Sequence, residues 1–539
     1  MSVAAPPRSR VAPAVGARDP ASARPPLAIA ALGGVVMAMA LPPLDLLPAV
    51  PVGLVLLALA LRDAPTARAA ALRAGVWAAA GGLIGLRFVV PTVERFSGLG
   101  VPGGLVALVG LALLQSAGWS VGAALAHLAR TRLGAPFAVA FGVTCLVGCS
   151  APGVFTWTPA GLLAPRPELV QLAEFGGERG VSVLLAVLAA LAVSGRPRRP
   201  AIAMSLVAVV LLGAVDRLGA WRMDAVEARA GAGRVTVGLV DPGAPARRTV
   251  RTEEQVARVA RLRELSASAD GAGAAFVVWP ESAYPVALPR AARTLGGGSV
   301  SPVGPDATTP RIIGLRTVER GPARTRQYNS ATVVTPDGRL TRPVDKRRLL
   351  WLGETVPLFD AVPPLASLFP GARRVTPGDR PRALSVPVAG RATPVRTGVL
   401  ICYEDVDPAP ARAVARDLRP QLLVNLTNDA WFAGTSAPEL QARLSALRAV
   451  ETRTALVRAV NAGGGGWVDA AGRRRAVRRV RGGSVVLASP RLRSVSAPAT
   501  TYARFGDLPL WALVALALGA SAVWRRRVHG LALSPRECQ

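Results

Sequence analysis

Hydrophobic residues are concentrated in two parts of the chain, the first 220 residues and a short stretch near 508–524. Apolar runs of this kind are typical of helices that cross a membrane. Several runs are close to the shortest length that spans a bilayer, and prolines between positions 42 and 51 divide the first long run into two. The pattern predicts eight spans, at 26–43, 44–61, 70–92, 100–128, 134–152, 180–195, 200–216 and 507–525.

Between the seventh and eighth spans the long apolar runs give way to short ones separated by polar turns, which predicts an α/β domain over about 222–506. Helical spacing occurs near 252–266 and 436–452. The turn at 336–338 and the glycines at 463–466 predict tight connections between strands. The predicted strands are at 234–240, 274–279, 311–315, 330–335, 396–403 and 421–426.

The fold class that follows is an α-helical transmembrane bundle of about eight spans joined to an α/β domain. The chain begins with a disordered cytoplasmic tail, too rich in Pro, Ala and Arg to form a core. A seven-span membrane domain, the α/β domain, a C-terminal transmembrane helix and a second cytoplasmic tail follow. The predicted limits of these five parts are 1–25, 26–220, 230–495, 507–525 and 526–539.

Arginines alternate between successive predicted loops, and this alternation assigns the two sides of the membrane. If the N-terminus is cytoplasmic, the outside loops carry little positive charge, because 44–50 has no Lys or Arg and 166–179 is net acidic. By the positive-inside rule the α/β domain lies outside the cytoplasm, in a multi-pass protein of the inner or plasma membrane. The inside arginines are Arg8, Arg10, Arg18, Arg24, Arg62, Arg68, Arg130, Arg132, Arg196, Arg198, Arg199, Arg525, Arg526 and Arg527.

Composition supports this interpretation. Hydrophobic residues make up 51% of the chain and mean hydropathy is +0.36, yet aromatic residues are only 5%. The net charge of +31 comes from scattered arginines without an aromatic-lined basic groove, so no nucleic-acid partner is predicted. Of the four cysteines only Cys402 lies in the α/β domain, so a disulfide within that domain is excluded.

The scarcity of histidine narrows the possible chemistry. The chain has two histidines, His127 in a predicted span and His529 in the C-terminal tail. The α/β domain therefore has no Ser-His-Asp or Cys-His site and no histidine-ligated zinc. No metal or other cofactor is predicted, and a reaction in this domain must use Glu, Asp, Lys, Cys, Tyr or backbone groups.

Three short stretches carry such groups. Glu281 follows a predicted strand in VVWPES, Lys346 and Glu354 lie in VDKRRLLWLGETVPL, and Cys402 ends the apolar strand in GVLICYEDV. Strand ends are rigid supports for reactive side chains. Each residue also has an ordinary explanation on its own, since a cysteine in an apolar strand is often a small core residue and a lysine beside arginines often belongs to a solvated face.

Taken together, the three stretches resemble the signature blocks of the nitrilase, or carbon–nitrogen hydrolase, superfamily. The resemblance covers about 230–490 and implies an αββα sandwich with a Glu-Lys-Cys triad formed by Glu281, Lys346 and Cys402. Seven spans before the domain, one after it, and the stretch NLTNDAWFAGTSAPELQARLSALRAVETRTALVRAVNAGG at 425–464 resemble the membrane branch of that superfamily, the apolipoprotein N-acyltransferases.

This resemblance implies the reaction and further site residues. Cys402 would take an acyl chain from a membrane phospholipid as a thioester and pass it to the N-terminal diacylglyceryl-cysteine of an apolipoprotein, with no cofactor and as a monomer. The supporting or substrate-contacting residues that it implies are Glu354, Tyr403, Glu404, Trp431 and Phe432. Trp431 and Phe432 are equally explained as core aromatics at a strand–loop junction.

Two positions depart from the family pattern. The first strand ends at Asp241 where a Gln is usual, and Gln441 stands where a His is common. Three other functions stay open at this point: a membrane-tethered amidase that uses water, a degenerate nitrilase-like module that only binds lipid, and a transporter. The transporter is the least favoured, since few ionisable residues lie at membrane depth.

One count singles out Lys346. The chain has 64 Lys and Arg residues, and Lys346 is the one lysine among them. A lysine retained where every other basic position is arginine indicates a place that needs a compact ammonium group instead of a planar guanidinium. Chance survival of a single lysine codon is the alternative.

Overall fold

A computed structural model of the chain describes residues 24–97, 99–153, 156–194, 198–229, 233–245, 251–322, 325–350, 354–355, 375–463, 465–480 and 483–532. The predicted N-terminal tail at 1–25 lies outside these residues except for its last two positions. The first part of the predicted C-terminal tail, up to residue 532, continues the last helix, and the remainder lies outside the described residues.

Helices occupy each of the eight apolar segments predicted from the sequence. Those of the first half are α1 (Arg24–Ala38), α2 (Ala49–Arg62), α3 (Ala67–Gly85), α4 (Val89–Ser97), α5 (Gly100–Leu133), α6 (Phe137–Ser150), α7 (Pro159–Leu162), α8 (Ala173–Ser194) and α9 (Arg198–Arg229).

The number of spans is supported only in part. Within the described ranges, 100–133, 173–194 and 508–528 are long and apolar enough to cross a membrane, and α3 with α4, bent by 53°, would make a fourth span. The helices α1, α2 and α6 have 15, 14 and 14 residues. A straight helix needs about 20 residues to cross a hydrocarbon core of about 30 Å. The structure thus supports a membrane bundle with three or four candidate spans.

Small residues let the bundle helices approach closely. A Cβ added at Gly34 of α1 would lie 2.1 Å from the carbonyl oxygen of Trp77 in α3. Trp77 is buried and its indole N–H donates to the carbonyl oxygen of Gly53 in α2, at 3.1 Å. Trp77 therefore contacts α1 through its backbone and α2 through its side chain. Close packing of this kind is expected between membrane helices, whose association is not driven by the hydrophobic effect.

The second half of the chain forms two stacked sheets covered by helices. One sheet has the order β12-β13-β1-β2-β4-β5-β6, with β3 also paired to β4, and the other has the order β11-β10-β9-β8-β7. The strands are β1 (Val237–Val240), β2 (Phe276–Val278), β3 (Leu288–Pro289), β4 (Arg311–Arg320), β5 (Thr325–Val334), β6 (Val344–Asp345), β7 (Ala383–Val386), β8 (Val395–Ile401), β9 (Leu422–Asn428), β10 (Leu456–Asn461), β11 (Gly466–Val468), β12 (Arg478–Val480) and β13 (Val485–Ala488).

Alternation along the strands builds the layers. Phe276 and Val278 of β2 face the core between the sheets, whereas Val277 between them packs against the outer helix. That helix is α10, and α11 and α12 cover the other sheet, which gives an αββα sandwich. The remaining helices are α10 (Thr252–Gly271), α11 (Pro408–Leu418), α12 (Ala437–Thr452), α13 (Thr501–Phe505) and α14 (Leu508–Ala532).

The six strands and two helices predicted for this domain are all present, with ends shifted by a few residues. The predicted turn at 336–338 follows β5, and the glycine connection at 463–466 joins the antiparallel strands β10 and β11. In the described part of this domain, seven further strands have no counterpart among the predictions. Most of these are two to four residues long, which is too short for period-2 alternation to stand out in a sequence.

The sandwich rests on the bundle through α12. Leu440, Leu444 and Leu447 of α12 belong to the same buried apolar cluster as the membrane helices. Buried ion pairs reinforce this contact: Arg448 of α12 contacts Glu178 of α8 at 2.8 Å, and Arg453 contacts Glu174 of α8 at 2.8 Å. The edge of the sandwich where β8 and β9 end is thereby held against the bundle.

Candidate active site

Glu281 lies just beyond the end of β2, in a sharp turn. A Cβ added at Gly314 of the neighbouring strand β4 would come within 2.2 Å of the carbonyl oxygen of Pro280 and 2.8 Å of Cα of Glu281. Glycine at 314 is therefore what allows this turn to lie against the sheet. The preceding Trp279 is buried, and its indole N–H donates to Ser266 of α10 at 2.8 Å.

Lys346 follows β6 and is held on both sides by its backbone. Its N–H donates to the carbonyl oxygen of Asn329 at 2.8 Å, and its own carbonyl oxygen accepts from the N–H of Gly378 at 2.9 Å. The side chain is 1% exposed, with Nζ 3.3 Å from Oε1 of Glu281 and 2.7 Å from Oε2 of Glu354. The ammonium is thus fixed between two carboxylates.

Cys402 directly follows β8 and has an unusual backbone conformation, φ = +53°, in the left-handed region that non-glycine residues seldom adopt. Its carbonyl oxygen accepts a hydrogen bond from the side-chain amide of Asn425 on β9, at 3.0 Å. Strained residues of this kind occur where the surroundings hold a reactive group in place. The partly exposed thiol packs against both the core between the sheets and the apolar cluster of the bundle.

Glu281, Lys346, Glu354 and Cys402 form a charged cluster in which each group affects the ionisation of its neighbours. Burial alone would lower the pKa of Lys346, but Glu281 and Glu354 outweigh it and hold the pKa well above its usual value. Burial also opposes ionisation of Glu354, yet Lys346 brings the pKa of that carboxyl below its usual value. Burial and then the carboxylate of Glu281, which accepts a hydrogen bond from the thiol, raise the pKa of Cys402. The thiol is therefore neutral at neutral pH and needs a base to become a nucleophile.

Glu404 connects the segment that carries Lys346 to the turn that carries Cys402. Its Oε2 accepts from the N–H of Ile401 at 2.9 Å, and its Oε1 accepts from the N–H groups of Arg347 and Arg348 at 2.8 and 3.0 Å. The side chain is 2% exposed, and burial raises its pKa although the backbone donors oppose this. These contacts tie the cysteine turn to the lysine segment, so the geometry favours the supporting role of Glu404 over substrate contact.

Tyr403, Trp431 and Phe432 line the seam between the sandwich and the bundle. All three pack against the apolar cluster of the membrane helices. The hydroxyl of Tyr403 donates to the carbonyl oxygen of Gly153 at 3.4 Å, and the ring of Phe432 meets Phe88 edge-on with centroids 5.8 Å apart. Phe88 lies at the bend between α3 and α4. Trp431 and Phe432 are thus packed aromatics at this seam, and their contact with substrate stays a prediction.

Sequence profiles and relatives identify the family. The profile of the apolipoprotein N-acyltransferase N-terminal domain matches residues 33–191, and that of carbon-nitrogen hydrolase matches residues 243–503. An apolipoprotein N-acyltransferase of Geobacter metallireducens is 31% identical over 70% of this chain and 71% of its own length. One from Gloeobacter violaceus is 32% identical over 76% of this chain and 78% of its own. The chain belongs to the apolipoprotein N-acyltransferase family.

The chain is also similar to solved structures, at lower sequence identity. An amidase of the nitrilase superfamily from Nesterenkonia AN1 is 19% identical and covers 50% of this chain and 94% of its own, with a TM-score of 0.34. A glutamine-dependent NAD+ synthetase from Acinetobacter baumannii is 15% identical and covers 50% of each chain, with a TM-score of 0.32. The carbon-nitrogen hydrolase match is what identifies the sandwich as nitrilase-type.

The two departures from the family pattern are both accommodated. Oδ1 of Asp241 accepts from the N–H groups of Gly243 and Ala462 at 2.9 and 2.8 Å, which joins the end of β1 to the turn after β10. Gln441 is buried in α12, and its amide donates to Asp405 at 2.9 Å and to Thr427 at 3.2 Å. The hydrogen bonds of Asp241 and Gln441 therefore connect elements around the site.

Asn329 on β5 was missed by the sequence reasoning. Its amide Nδ2 donates to Oε1 of Glu281 at 2.7 Å and to Oε1 of Glu354 at 3.0 Å. The residue is 7% exposed and thus bridges the two carboxylates that flank Lys346. The sequence gives little signal for this role, because Asn329 lies among several other polar residues of the strand TRQYNSATVV.

Proposed function

We propose that this protein transfers a fatty acyl chain from a membrane phospholipid to the α-amine of the N-terminal diacylglyceryl-cysteine of an apolipoprotein. Its family membership supports N-acylation of lipoproteins as the activity. One observation carries the finer proposal: Cys402 lies beside the charged group of Glu281 and Lys346 and also packs against the apolar cluster of the bundle. A lipid ester can reach such a thiol without leaving an apolar environment.

In the first half-reaction Glu281 removes the proton from Sγ of Cys402. The thiolate attacks the carbonyl carbon of the phospholipid ester, and the C–O bond to the glycerol breaks. The proton returns from Glu281 to the departing alkoxide, which leaves as lysophospholipid while the acyl chain stays on Sγ as a thioester. Lys346, whose ammonium is held by Glu281 and Glu354, stabilises the oxyanion that forms between these two steps.

In the second half-reaction the α-amine of the acceptor attacks the thioester carbon. Glu281 takes a proton from the attacking nitrogen, the C–S bond breaks, and the thiolate is reprotonated to regenerate Cys402. The product is an amide, so the acceptor ends with three acyl chains. The cycle is ping-pong, because lysophospholipid leaves before the acceptor reacts. Glu354 and Asn329 hold Lys346 and Glu281 in place throughout.

The position relative to the membrane is part of this proposal. We propose a multi-pass protein with eight spans, cytoplasmic termini and the sandwich outside, following the arginine alternation. Both substrates are lipids, and drawing each CH₂ out of the bilayer would cost about 0.8 kcal/mol. Trp431, Phe432 and Tyr403 would border the acyl chain at the seam. A monomer suffices, since one chain supplies Glu281, Lys346 and Cys402.

The decisive experiment follows acylation of the purified protein. Incubated with phospholipid and no acceptor, the wild type is expected to carry a hydroxylamine-labile acyl group on Cys402. Cys402→Ala should abolish it, whereas the controls Cys145→Ala and Cys149→Ala, which change the membrane cysteines, should not. Adding a diacylated lipopeptide with a free amine should then give a triacylated amide. Acylation that survives Cys402→Ala, or release of free fatty acid only, would contradict the proposal.

Orientation needs a separate measurement. A reporter that is active only outside the cytoplasm is expected to be on when fused after Gly233 and off when fused after Arg527. The opposite pattern would overturn the bundle assignment.

A further inference from the structure

Asp429 is a buried carboxylate that the proposed reaction has not used. It lies directly after β9, next to the strand that precedes Cys402, and begins the turn that also carries Trp431 and Phe432. It is 2% exposed, and its Oδ1 accepts no hydrogen bond from any residue in the described part of the chain. Burying a carboxylate oxygen without a hydrogen bond lowers the stability of the folded protein. Polar groups that are buried in this way often bind a partner.

One cation beside Asp429 is shared with another carboxylate. Arg458 acts on Asp429 electrostatically, while its Nε donates to Asp405 at 3.0 Å and its Nη2 has no hydrogen-bond partner among the described residues. The carboxylates of Asp405, Glu281 and Asp241 also act on Asp429 and add negative charge around it. Among the described residues of this group, five carboxylates accompany two cations, so the negative charges exceed the positive ones. The carboxylates are Asp241, Glu281, Glu354, Asp405 and Asp429, and the cations are Lys346 and Arg458.

Two other buried acceptors near the cysteine are also unfilled. Oδ1 of Asn329 and Oδ1 of Asn425 have no hydrogen-bond donor among the described residues. Both amides are oriented by their Nδ2 groups, which donate to Glu281 and to the carbonyl oxygen of Cys402. Their oxygens are therefore acceptors awaiting a donor, as is the carboxylate of Asp429. Acceptors and excess negative charge suit a cation with several N–H groups.

We propose that Asp429 binds the α-ammonium group of the acceptor lipoprotein, a specificity that rests on the proposed transferase function. The free N-terminus of the acceptor is charged at neutral pH, whereas the phospholipid ester offers no donor to a carboxylate. Asp429 holds the ammonium beside the thioester, and Glu281 takes the proton that makes the nitrogen nucleophilic and passes it to solvent. When the nitrogen attacks, Glu281 takes a second proton and returns it to the sulfur of Cys402 as the C–S bond breaks. The product amide is neutral and no longer attracts Asp429, so acyl transfer itself weakens binding and favours release.

The test separates the two half-reactions in the full-length protein. Asp429→Asn keeps the shape and removes the charge. We expect thioester formation from phospholipid to stay within about 3-fold of wild type, while KM for a diacylated lipopeptide rises about 10- to 100-fold, as for loss of a hydrogen bond to a charged group. Discharge of the thioester by hydroxylamine, which is small and uncharged at neutral pH, should be unchanged. Asp417→Asn on the exposed face of α11 is the matched control.

A binding measurement gives independent support. In a Cys402→Ala background the free-amine lipopeptide should bind more tightly than its N-acetylated analogue, and adding Asp429→Asn should remove the difference. An unchanged KM, an equal loss toward hydroxylamine, or equal binding of the two lipopeptides would overturn the assignment of Asp429. Loss of thioester formation would make Asp429 a support for the nucleophile and equally overturn it. Failure of the wild type to make a triacylated product would instead refute the transferase function.

Discussion

Two buried cations in this molecule each lie between two glutamates, and their surroundings differ. Lys346 contacts Glu281 and Glu354 beside the thiol of Cys402, at the open ends of the strands. Arg448 lies between α8 and α12, where the sandwich meets the bundle, and is 0% exposed. Each cation is paired with two glutamates, so the number of charges alone does not explain which of the two groups can catalyse a reaction.

The arginine cluster uses its donors to join structural elements. Nη2 of Arg448 donates to Glu178 at 2.8 Å and to Glu451 at 3.1 Å, and Nη1 donates to the carbonyl oxygen of Val406 at 3.0 Å. Burial raises the pKa of Glu451 to about 8, with Arg448 opposing this. Because its planar guanidinium donates to three partners, Arg448 fixes α12 to α8 and to the turn at Val406.

The lysine cluster keeps one donor for a further partner. Two contacts hold the ammonium to its glutamates, and an ammonium has three N–H groups. Lys346 and Arg448 therefore differ in two ways. Lys346 is a compact ammonium with a cysteine beside it, whereas Arg448 is a planar guanidinium whose neighbours are structural. Catalysis by the lysine cluster is still a prediction, and exchanging the two cation types tests the comparison directly.

The largest effect is expected from Lys346→Arg. The wide fork would pair with Glu281 through two hydrogen bonds and lose access to the oxyanion, so thioester formation should fall on the order of 10²-fold or more while folding is retained. Rapid-quench measurement of thioester formation checks this. Arg347→Lys next to it should change the rate little. A near-normal rate for Lys346→Arg would remove Lys346 from the triad.

The converse exchange, Arg448→Lys, should affect stability and spare chemistry. A lysine cannot reach Glu178, Glu451 and Val406 together, so we expect a loss of about 2 kcal/mol in the free energy of unfolding. Thermal unfolding in detergent measures the loss, and thioester formation below the unfolding temperature should remain near normal. A large loss of rate without a loss of stability would mean that Arg448 is part of the catalytic machinery.

A smaller effect is expected from Asn329→Ala. The substitution removes the donor that bridges Glu281 and Glu354, so the two carboxylates repel each other more and Glu281 is less well placed. Loss of such a hydrogen bond corresponds to about a 10-fold decrease in the rate of thioester formation. Asn329→Gln, with its longer side chain, should restore little. An unchanged rate would show that Lys346 alone orients the two glutamates.

The smallest effect is expected from Asp429→Asn. Burial raises the pKa of Asp429 to about 6. An unfolded Asp has a pKa of about 3.9, so the folded state loses stability relative to Asn as pH rises from about 4 to 6. Asp429→Asn should therefore raise the Tm by a few degrees at pH 7.5 and leave it unchanged below pH 4. A lower Tm at pH 7.5 would mean that the fold requires this carboxylate.

The sequence alone determined where the membrane helices and most longer strands lie, because apolar runs and alternation are local properties of the chain. It also singled out Glu281, Lys346 and Cys402, which follow strands and which the structure brings together around one ammonium group. The number of spans was less well determined, since helices of 14 or 15 residues fall short of the length that their apolar segments suggested.

Only the tertiary structure decided which polar residues share a buried site. Asn329 meets Glu281 from 48 positions away, and Arg448 meets Glu178 from 270 positions away. No local pattern encodes such pairs, because they arise when strands are ordered in a sheet and when a helix of one layer docks on another. Asp429 is the clearest case, because only the packing of β8, β9 and β10 around it leaves its Oδ1 buried without a hydrogen-bond donor among the described residues.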